Sequence, residues 1–514
     1  MSRLLAADPV LLAALCAGIV LRVWRFGDIP FGLHQDEASM AYDAYSLIHY
    51  GIDRNGFRFP VMLVSWGSGM YALASYLAAP FVGIFGLNVV AVRLPFLLSG
   101  VASIPLLYRL LADSFERRVA RLGAVLLAFC PWHIMMSRWG LDSNLLPFVF
   151  LVATVLLLRS LERPWLLVPA AGAYALALYS YGTAYVTVPA FLVLAVSYGV
   201  VHRRWPRRTL LVAGAAGALV ATPIVLYVLI NNFGWESLET PLLSIPRLSG
   251  VPRYQTVGNV NVLSLDFLRR AADNLAQAGH LLRTQNDDLI SNVLPEYGVL
   301  YWFSPSLGCL GLALLIGKAV RRQFQRSAFL LAWCAAALLL TPFLPLNINR
   351  ANVALLPYVA CVALAGALLW QYRSIAIALS LLFGVCSLGF AASYFGSYPW
   401  RASPAFFPSL VEAIRYASAQ TAGEVCVTGR VNMPYIFVLF ANAPHPGTFY
   451  RSVAYENPGA EFQRVASFDR YRFGRQNCPD SARVFVVPRG ERGEFGRRAF
   501  SAKQFEYYTV LSDP

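Results

Sequence analysis

The stretch GDIPFGLHQDEASMAYDAYSLIHYGIDRNGFRFP, residues 27–60, decides the fold and the function that we predict for this chain. It directly follows the first hydrophobic segment, and its centre is HQDEA at residues 34–38. Charges close to hydrocarbon cost free energy that ordinary loop residues avoid, so an adjacent carboxylate pair beside a membrane calls for a chemical explanation. We therefore interpret Asp36 and Glu37 as the chemically active residues of a membrane enzyme.

The composition around this stretch is that of a polytopic membrane protein. Of the 514 residues, 57% are hydrophobic and only 13% are charged, a balance far from that of a soluble domain. The formal net charge is +15, but most arginines up to Arg373 lie in short clusters between hydrophobic segments, which is a topology signal. There is no basic tail and no basic stripe interleaved with aromatic residues, so we predict no nucleic-acid partner.

The cysteines and the N-terminus add two expectations. Residues 9–23 look superficially like a signal peptide, but no small-residue cleavage site follows, so we predict a retained first span. Six of the eight cysteines lie in apolar segments, where cysteine behaves as a small hydrophobic residue. Cys426 and Cys478 are the pair that could form a disulfide, and no Cys/His spacing suggests zinc.

Segment length and loop charge together predict about eleven transmembrane helices with the N-terminus inside. Residues 67–86 are long enough to cross, but a crossing there would turn three basic clusters outward, so we predict a juxtamembrane helix. Residues 37–50 are predicted as a second helix at the interface, and residues 53–56 as a turn. The predicted spans are residues 9–24, 93–111, 122–136, 145–158, 166–179, 186–201, 210–230, 297–316, 328–343, 353–370 and 375–392.

The composition changes after Tyr394 and marks a second domain. Residues 403–514 are rich in charges, Pro and Gly and contain short strand-like runs, such as residues 424–427 and 483–487. We predict a transmembrane module at residues 1–394, with outer loops at 25–92 and 231–296, followed by a soluble exterior domain at 395–514. The fold class is therefore mainly α: a polytopic membrane helical bundle with juxtamembrane helices and a small C-terminal α/β domain.

Acidic and basic side chains on the outer side suit a transfer reaction from an anionic, lipid-borne donor. One carboxylate would accept the proton of an acceptor hydroxyl, and partial burial would make it a competent base near neutral pH. Arginine would hold the phosphate leaving group, which its planar fork of N–H donors matches. The features that fall on this side are Asp36-Glu37, Arg138 with Asp142, the run at residues 285–288, and Asn349-Arg350.

The acidic pair and the Arg138–Asp142 pair each have a structural alternative. Carboxylates favour helix N-termini, so Asp36 and Glu37 could cap the interfacial helix that follows. Their place in the first outer loop favours the functional interpretation. Arg138 and Asp142 are four residues apart and could form a local ion pair, which contributes about 0.3–0.5 kcal/mol.

The remaining candidates also have ordinary explanations. Arg93 and Arg350 lie where spans begin, and snorkelling to the interface is the default role there, although the asparagines around Arg350 favour a polar pocket. His34 could contact substrate or a metal, but a histidine beside carboxylates is usually a hydrogen-bonding partner. Asp287-Asp288 in the second large loop is more typical of a solvated turn than of a metal site.

Several short motifs, in this order, resemble one family of membrane enzymes. The acidic pair follows span one, RLP at residues 93–95 begins span two, and SRWGLD at residues 137–142 places an Arg a few residues before an Asp in the second outer loop. Asn349-Arg350 followed by Pro357 is a weaker match. Over residues 22–392 the chain resembles the dolichyl-phosphate-mannose protein mannosyltransferases and their bacterial relatives. These are C-type membrane glycosyltransferases, as is the lipid A aminoarabinose transferase.

The resemblance implies roles for individual residues. Asp36 would be the catalytic base, the other acidic residues would shape the site, and Arg138 and Arg350 would bind the donor phosphate. No metal ligand is predicted, and a divalent cation is left open as a cofactor. The predicted catalytic residues are Asp36, Glu37 and Asp142, and the predicted substrate-binding residues are His34, Arg93, Arg138 and Arg350.

The reaction implied is transfer of a sugar from a polyprenyl-phosphate donor to a hydroxyl acceptor, with inversion. The partners are the donor lipid, membrane lipid and a protein, lipid or glycan acceptor. The expected location is the inner (plasma) membrane, with the active site and the C-terminal domain extracytoplasmic. Residues 285–297 follow the family pattern loosely, and the C-terminal domain is not the sugar-binding module that eukaryotic mannosyltransferases insert in a loop, so the acceptor is open.

Two non-enzymatic functions compete with this interpretation. A transporter or flippase of a lipid-linked or polar substrate would place charges within its spans at mid-bilayer, whereas the acidic residues here cluster in outer loops. The chain also lacks a clean sequence repeat of the kind that inverted-repeat transporters show. A scaffold anchored by its spans would need fewer than about eleven of them.

Overall fold

The computed structural model describes residues 8–250, 264–319, 325–491 and 500–513. The chain divides into two compact units, each built from separate stretches of sequence. Part of the predicted second outer loop and two arginines of a predicted basic cluster, Arg321 and Arg322, lie outside the described residues. The first unit comprises Met1–Phe26, Phe96–Val225 and Tyr254–Tyr398, and the second comprises Gly27–Pro95, Leu226–Arg253 and Pro399–Pro514.

These units differ from the consecutive domains 1–394 and 395–514 that we predict from composition. The second unit contains the first outer loop as well as the C-terminal residues. The reason is direct packing that sequence separation hides. The Tyr42 hydroxyl donates to the carbonyl of Pro444 at 2.7 Å, and the Trp66 ring contacts the Tyr435 ring at 5.9 Å.

Helices dominate the described part of the chain. The membrane-type helices and the helices between them are α1 (Pro9–Val23), α2 (Gln35–Tyr50), α3 (Leu73–Phe85), α4 (Val89–Ser114), α5 (Arg117–Ala128), α6 (Pro131–Met136), α7 (Leu146–Ser160), α8 (Leu167–Ala177), α9 (Ala184–Val201), α10 (Arg207–Phe233), α11 (Leu265–Thr284), α12 (Ser304–Ala319), α13 (Ser327–Leu338), α14 (Ile348–Leu369) and α15 (Arg373–Phe395). Short 3-10 turns at Asp142–Leu145 and Pro164–Leu166 precede α7 and α8.

Among the described residues, six helical stretches are long and apolar enough to cross a membrane: α4, α7 with its preceding turn, α9, α10, α14 and α15. Shorter apolar helices, α1, α8, α12 and α13, occupy four further predicted spans. Within residues 67–86 the chain forms the 13-residue helix α3, which packs on α2. Most predicted spans therefore coincide with apolar helices.

The predicted span at residues 122–136 is not one helix, because the chain breaks between α5 and α6. Proline lacks an N–H and fits best in the first turn of a helix, and Pro131 begins α6. The break leaves carbonyls at the end of α5 without helical partners. The Arg22 guanidinium on α1 donates to two of them, on Leu127 and Ala128, at 3.0 Å each.

The core of the first unit lies around α14, which packs against α5, α7, α12 and α13. Its approach to α12 is close, since a Cβ added at Gly311 would overlap the carbonyl of Cys361. Polar contacts join further elements to this helix. The Asn352 side chain accepts from the Trp132 indole at 3.0 Å and donates to the Ser143 carbonyl at 3.1 Å.

The second unit contains a seven-stranded mixed sheet. Its order is β10-β11-β9-β5-β8-β7-β6, and β5 pairs parallel with both β8 and β9 while the other pairs are antiparallel. The helices α17 and α18 pack with the sheet. The elements are α16 (Tyr398–Phe406), α17 (Leu410–Gln420), β5 (Val425–Val427), α18 (Pro434–Asn442), α19 (Pro446–Tyr450), β6 (Ala454–Tyr455), β7 (Val465–Phe468), β8 (Tyr471–Phe473), β9 (Val484–Pro488), β10 (Ser501–Gln504) and β11 (Tyr508–Ser512). Two short hairpins, β1 (Met62–Leu63) with β2 (Met70–Tyr71) and β3 (Leu238–Glu239) with β4 (Ser244–Ile245), complete the unit.

Two expectations about the C-terminal residues are confirmed. The runs predicted as strands, residues 424–427 and 483–487, form β5 and β9, which lie side by side in the sheet. Cys426 on β5 and Cys478 form a disulfide, with their Cα atoms 6.0 Å apart. The C-terminal residues therefore fold as the predicted α/β arrangement.

Candidate active site

The predicted acidic motif forms the first turn of α2, and His34 is its N-cap. The His34 Nδ1 accepts the backbone N–H of Asp36 at 3.2 Å, and Glu37 Oε2 accepts the backbone N–H of His34 at 3.1 Å. This reciprocal arrangement is a capping box, which satisfies backbone donors that the first turn leaves open. Glu37 thus caps the helix, as the structural alternative for the acidic pair predicts. His34 is a hydrogen-bonding partner of this first turn.

Glu37 also forms a buried two-point ion pair with Arg93. Arg93 Nε lies 2.7 Å from Oε1 and Nη2 lies 2.9 Å from Oε2, and both side chains are 0% exposed. The remaining Arg93 N–H groups donate to the carbonyls of Gly27, Pro30 and Gly32 at 2.9–3.2 Å. The loop ahead of α2 therefore wraps around the Arg93 guanidinium. A direct contact between Arg93 and substrate stays a prediction.

Asp36 is the accessible member of the acidic pair. Its side chain is 25% exposed, and its Oδ2 lies 3.5 Å from His34 Nδ1. Because Nδ1 accepts the Asp36 N–H, it carries no proton in this geometry, and the contact between the two side chains is not an ion pair. A carboxylate at the start of a helix is stabilised by the backbone N–H groups there. Asp36 is therefore accessible, in its ionised form, to a group outside the fold, whereas Glu37 is enclosed.

A buried ionic cluster between α2 and the following loop was missed by sequence reasoning, which read residues 53–56 as a turn. The Arg54 guanidinium is 3.4 Å from Asp43 and donates to the hydroxyls of Ser39 and Ser65 at 2.6 and 2.8 Å. Its backbone N–H also donates to Asp43 at 3.1 Å. Both ionic side chains are essentially unexposed. The available signal was the polar face of α2, on which Ser39 and Asp43 are one turn apart.

Asp53 belongs to the same cluster. Its Oδ1 accepts the backbone N–H groups of Asn55 and Phe57 at 2.9 Å each, so the turn predicted there is present. Burial, reinforced by the negative charge of Asp43, raises the pKa of Asp53 from 3.8 to about 7. Burial also raises the pKa of Asp43, against the opposing effect of the Arg54 charge. The two buried carboxyls share one buried guanidinium, so one of them holds its proton readily.

Arg138, a predicted phosphate contact, caps a helix in the first unit. Its guanidinium is buried and donates to four carbonyls at the end of α1, at 2.7–3.1 Å. It also lies 5.6 Å from the Tyr394 ring centre and 5.3 Å from that of Phe395. These contacts satisfy helix carbonyls that would otherwise be open. A contact between Arg138 and substrate stays a prediction.

Asp142 and Arg350 lie at the starts of helical elements in the first unit. Asp142 begins the 3-10 turn before α7, and its Oδ1 accepts the Ser143 N–H at 2.7 Å. Arg350 is in the first turn of α14, half-buried, and its Nη1 donates to the Pro345 carbonyl at 2.8 Å. Asp287 accepts the N–H of Ile348 at 2.9 Å and so caps α14 rather than lying in a solvated turn.

The structure thus groups the predicted residues by unit. His34, Asp36, Glu37 and Arg93 meet at the start of α2, and Arg138, Asp142 and Arg350 belong to the other unit. Within the described ranges, no group of three or more His, Cys, Asp or Glu side chains is arranged to hold a metal ion. Both Glu37 oxygens are engaged by Arg93, which leaves Asp36 as the carboxylate of this motif that has room for a ligand.

Sequence comparisons match part of the chain to one family of membrane enzymes. Residues 72–243 match the model for the dolichyl-phosphate-mannose-protein mannosyltransferases. Two Bacillus subtilis proteins, YycA and YkcB, are similar to this chain, and their names assign them provisionally to the mannosyltransferases. YycA is 30% identical over 136 residues, which is 25% of this chain and 18% of YycA. YkcB is 33% identical over 116 residues, 21% of this chain and 16% of YkcB. The matches span less than a fifth of either relative.

The fold also has solved counterparts. ArnT from Cupriavidus metallidurans in the apo state superposes with a TM-score of 0.57 at 12% identity, over 100% of this chain and 99% of ArnT. The same enzyme bound to undecaprenyl phosphate gives a TM-score of 0.57 over 98% of this chain and 97% of ArnT. At this identity the likeness concerns the fold alone, and it confirms the predicted helical membrane fold. This multi-pass membrane protein therefore resembles the C-type membrane glycosyltransferases, as its motifs predict.

Proposed function

We propose that this chain is an integral membrane glycosyltransferase that moves a sugar from a polyprenyl-phosphate donor to a hydroxyl acceptor, with Asp36 as general base. The family match at residues 72–243 and the fold support the reaction class. The observation that carries the residue assignment is the difference within the acidic pair. Asp36 is 25% exposed at the start of α2, whereas Glu37 is enclosed with Arg93.

In the proposed reaction the acceptor oxygen attacks the anomeric carbon of the donor sugar. The bond between that carbon and the phosphate oxygen breaks, and Asp36 takes the hydroxyl proton. Attack opposite to the leaving group inverts the anomeric configuration. The products are the glycosylated acceptor, which is a protein, lipid or glycan, and the free polyprenyl phosphate.

Arg350 is the first candidate for the phosphate that leaves. Its guanidinium is half-buried and, among the described contacts, makes one side-chain hydrogen bond, to the Pro345 carbonyl. Negative charge grows on the phosphate as the glycosidic bond breaks, and a positioned guanidinium stabilises that charge. Arg93 and Arg138 are weaker candidates because they are buried and bonded to carbonyl oxygens. Asp142 keeps the site-shaping role that the resemblance implies, and His34 keeps the substrate-binding role predicted from its place beside the carboxylates.

The orientation belongs to the same proposal. Disulfides persist in oxidising compartments, and the Cys426–Cys478 bridge supports an extracytoplasmic C-terminal domain. The distribution of basic clusters in the sequence supports the same orientation through the positive-inside rule. We place the acidic motif on that outer side of the inner membrane.

The test is sugar transfer from a panel of radiolabelled polyprenyl-phosphate sugars into membranes that contain the full chain. Asp36→Asn removes the base and should abolish transfer at matched expression. Asp28→Asn is the control, because Asp28 is an exposed carboxylate in the same loop and loses the same charge. An Asp36→Asn variant as active as the native chain would refute the assignment. A panel from which no donor is consumed would instead favour the transport interpretation.

A further inference from the structure

Residues 406–408, in the C-terminal part of the second unit, contact the loop that precedes Asp36. The backbone N–H of Leu33 donates to the carbonyl of Phe406 at 2.5 Å. The buried Phe406 ring also meets the imidazole of His34 edge-on, with ring centres 5.7 Å apart. Leu33 and His34 are the two residues ahead of the first turn of α2, so this contact reaches the cap of the Asp36 helix.

Gly32 makes the approach possible. Its φ is +82°, a conformation that side chains other than glycine rarely adopt. A Cβ at this position would overlap the Phe406 carbonyl and lie 2.7 Å from the backbone N and Cα of Pro408. These are backbone atoms, which cannot rotate away as a side chain can. On its other side, the Gly32 carbonyl accepts from Arg93 Nη2 at 2.9 Å.

The shape of residues 406–408 is set by the fold around the sheet. Phe407 and Ser409 both have positive φ, +44° and +62°, and α17 begins at the next residue, Leu410. The Ser409 hydroxyl accepts the backbone N–H of Tyr507, the residue ahead of β11, at 3.1 Å. A chain of contacts therefore runs from the start of β11 through Ser409 and Phe406 to Leu33.

We propose that residues 406–408 are a positioning element for Asp36, a role that rests on the proposed function of that carboxylate. They hold Gly32 and Leu33 so that His34 stays at the N-cap, where its imidazole accepts the Asp36 N–H. If the contact is lost, the loop has space to move into, because a cavity of about 110 Å³ lined in part by Gly32, Leu33, Phe407 and Ser409 adjoins it. A displacement of about 1 Å in a reacting group can cost about 100-fold in rate.

The test compares two glycine variants of the full chain. Gly32→Ala should lower kcat for sugar transfer by about 100-fold, because the first turn of α2, which carries Asp36, is displaced. Gly459→Ala is the matched control, since Gly459 has a φ of +80° with nothing within 4 Å of an added Cβ. Gly459→Ala imposes the same strain of a positive φ without a steric overlap, and it should keep native kcat. Equal kcat in the two variants would overturn the proposal.

A second pair of measurements separates positioning from misfolding. Both Phe406 variants keep the backbone carbonyl, but Phe406→Leu also keeps apolar bulk beside the His34 imidazole and should retain most of the activity that Phe406→Ala loses. Hydrogen exchange at the first turn of α2 should be faster in Gly32→Ala than in Gly459→Ala, a readout independent of turnover. An unchanged exchange rate with reduced kcat would count against the positioning role. Failure of the proposed function is seen separately, as transfer that survives in Asp36→Asn.

Discussion

Arg22 lies on α1 and caps α5, and Arg138 in turn caps α1. Arg22 on α1 donates to carbonyls at the end of α5, while Arg138, just after α6, donates to the Arg22 carbonyl at 2.7 Å and to its neighbours at the end of α1. Both guanidinium groups are buried. A buried charge is tolerated when it is compensated, and here helix carbonyls with their partial negative charge accept from the terminal nitrogens of both guanidinium groups. The first helix and the broken third span are fixed to each other in this way.

Arg138→Gln should lower the stability of the protein more than the donor affinity. The change leaves α1 carbonyls without donors, at a cost of about 1–3 kcal/mol for a buried unsatisfied group. We expect a lower apparent unfolding temperature in detergent and a nearly native donor KM in the folded fraction. Arg118→Gln, at an exposed site on α5, is the control. Native stability combined with a sharply raised donor KM would instead support the phosphate contact that the resemblance implies.

Removing either partner of the Glu37–Arg93 pair should destabilise the fold strongly. Each single change, Glu37→Gln or Arg93→Met, leaves a buried charge or a set of open carbonyls, and breaking a buried pair costs about 3–5 kcal/mol. The double variant should lose less than the two single losses combined, because neither charge is left alone. Unfolding in detergent of all four proteins measures this coupling. Additive losses would show that the two side chains act independently.

The Asp53 cluster should make stability depend on pH. The folded protein holds the Asp53 proton up to about pH 7, whereas the unfolded chain releases it near 3.8. Stability from this group is therefore fully present below pH 3.8, falls as pH rises and is lost once pH passes 7. At about 1.4 kcal/mol per pKa unit, the loss is on the order of 4 kcal/mol.

Asp53→Asn should flatten this dependence. The amide carries no titrating proton, although Asp43 and Arg54 still face the site, as does Tyr76 from α3. We expect the apparent unfolding temperature of the native chain to fall between pH 5 and pH 8, and that of the variant to change less. Asp28→Asn should keep the native slope. Parallel curves for native and Asp53→Asn proteins would contradict the expectation.

The Cys426–Cys478 disulfide gives a test of stability and of orientation together. Cys426→Ser should lower stability by about 2–4 kcal/mol, since the bridge closes a long loop. In native membranes Cys478 should resist alkylation until a reductant is added, and the reduced protein serves as the reactive comparison. Alkylation of Cys478 without reductant would place this domain in a reducing compartment and contradict the proposed orientation.

The sequence predicts well what depends on local pattern. Long apolar runs locate α9, α10 and α14, and short strand-like runs locate β5 and β9. The break in residues 122–136 is not visible in the same way. The break is stabilised by Arg22, more than 100 residues earlier in the chain, and hydropathy carries no information on such a partner.

The candidate site shows the same limit. The sequence identifies the acidic pair and a helix after it. The difference in exposure between Glu37 and Asp36 depends on Arg93, 56 positions from Glu37, which encloses Glu37 and leaves Asp36 accessible. The Asp43–Arg54 cluster is not predicted, because the sequence places Asp43 in an interfacial helix and Arg54 in a turn without indicating that the two side chains meet. Burial, which decides their chemistry, is a property of the folded chain.

The hydrogen bond from Leu33 to Phe406 also orders events during biosynthesis. The ribosome finishes the acidic motif early, but the carbonyl that holds the preceding loop is made only after the last apolar helix, α15, has emerged. Until then the helix start that carries Asp36 lacks its support. A chain that ends before Phe406 therefore contains all the membrane-type helices but not the carbonyl that holds the loop ahead of Asp36.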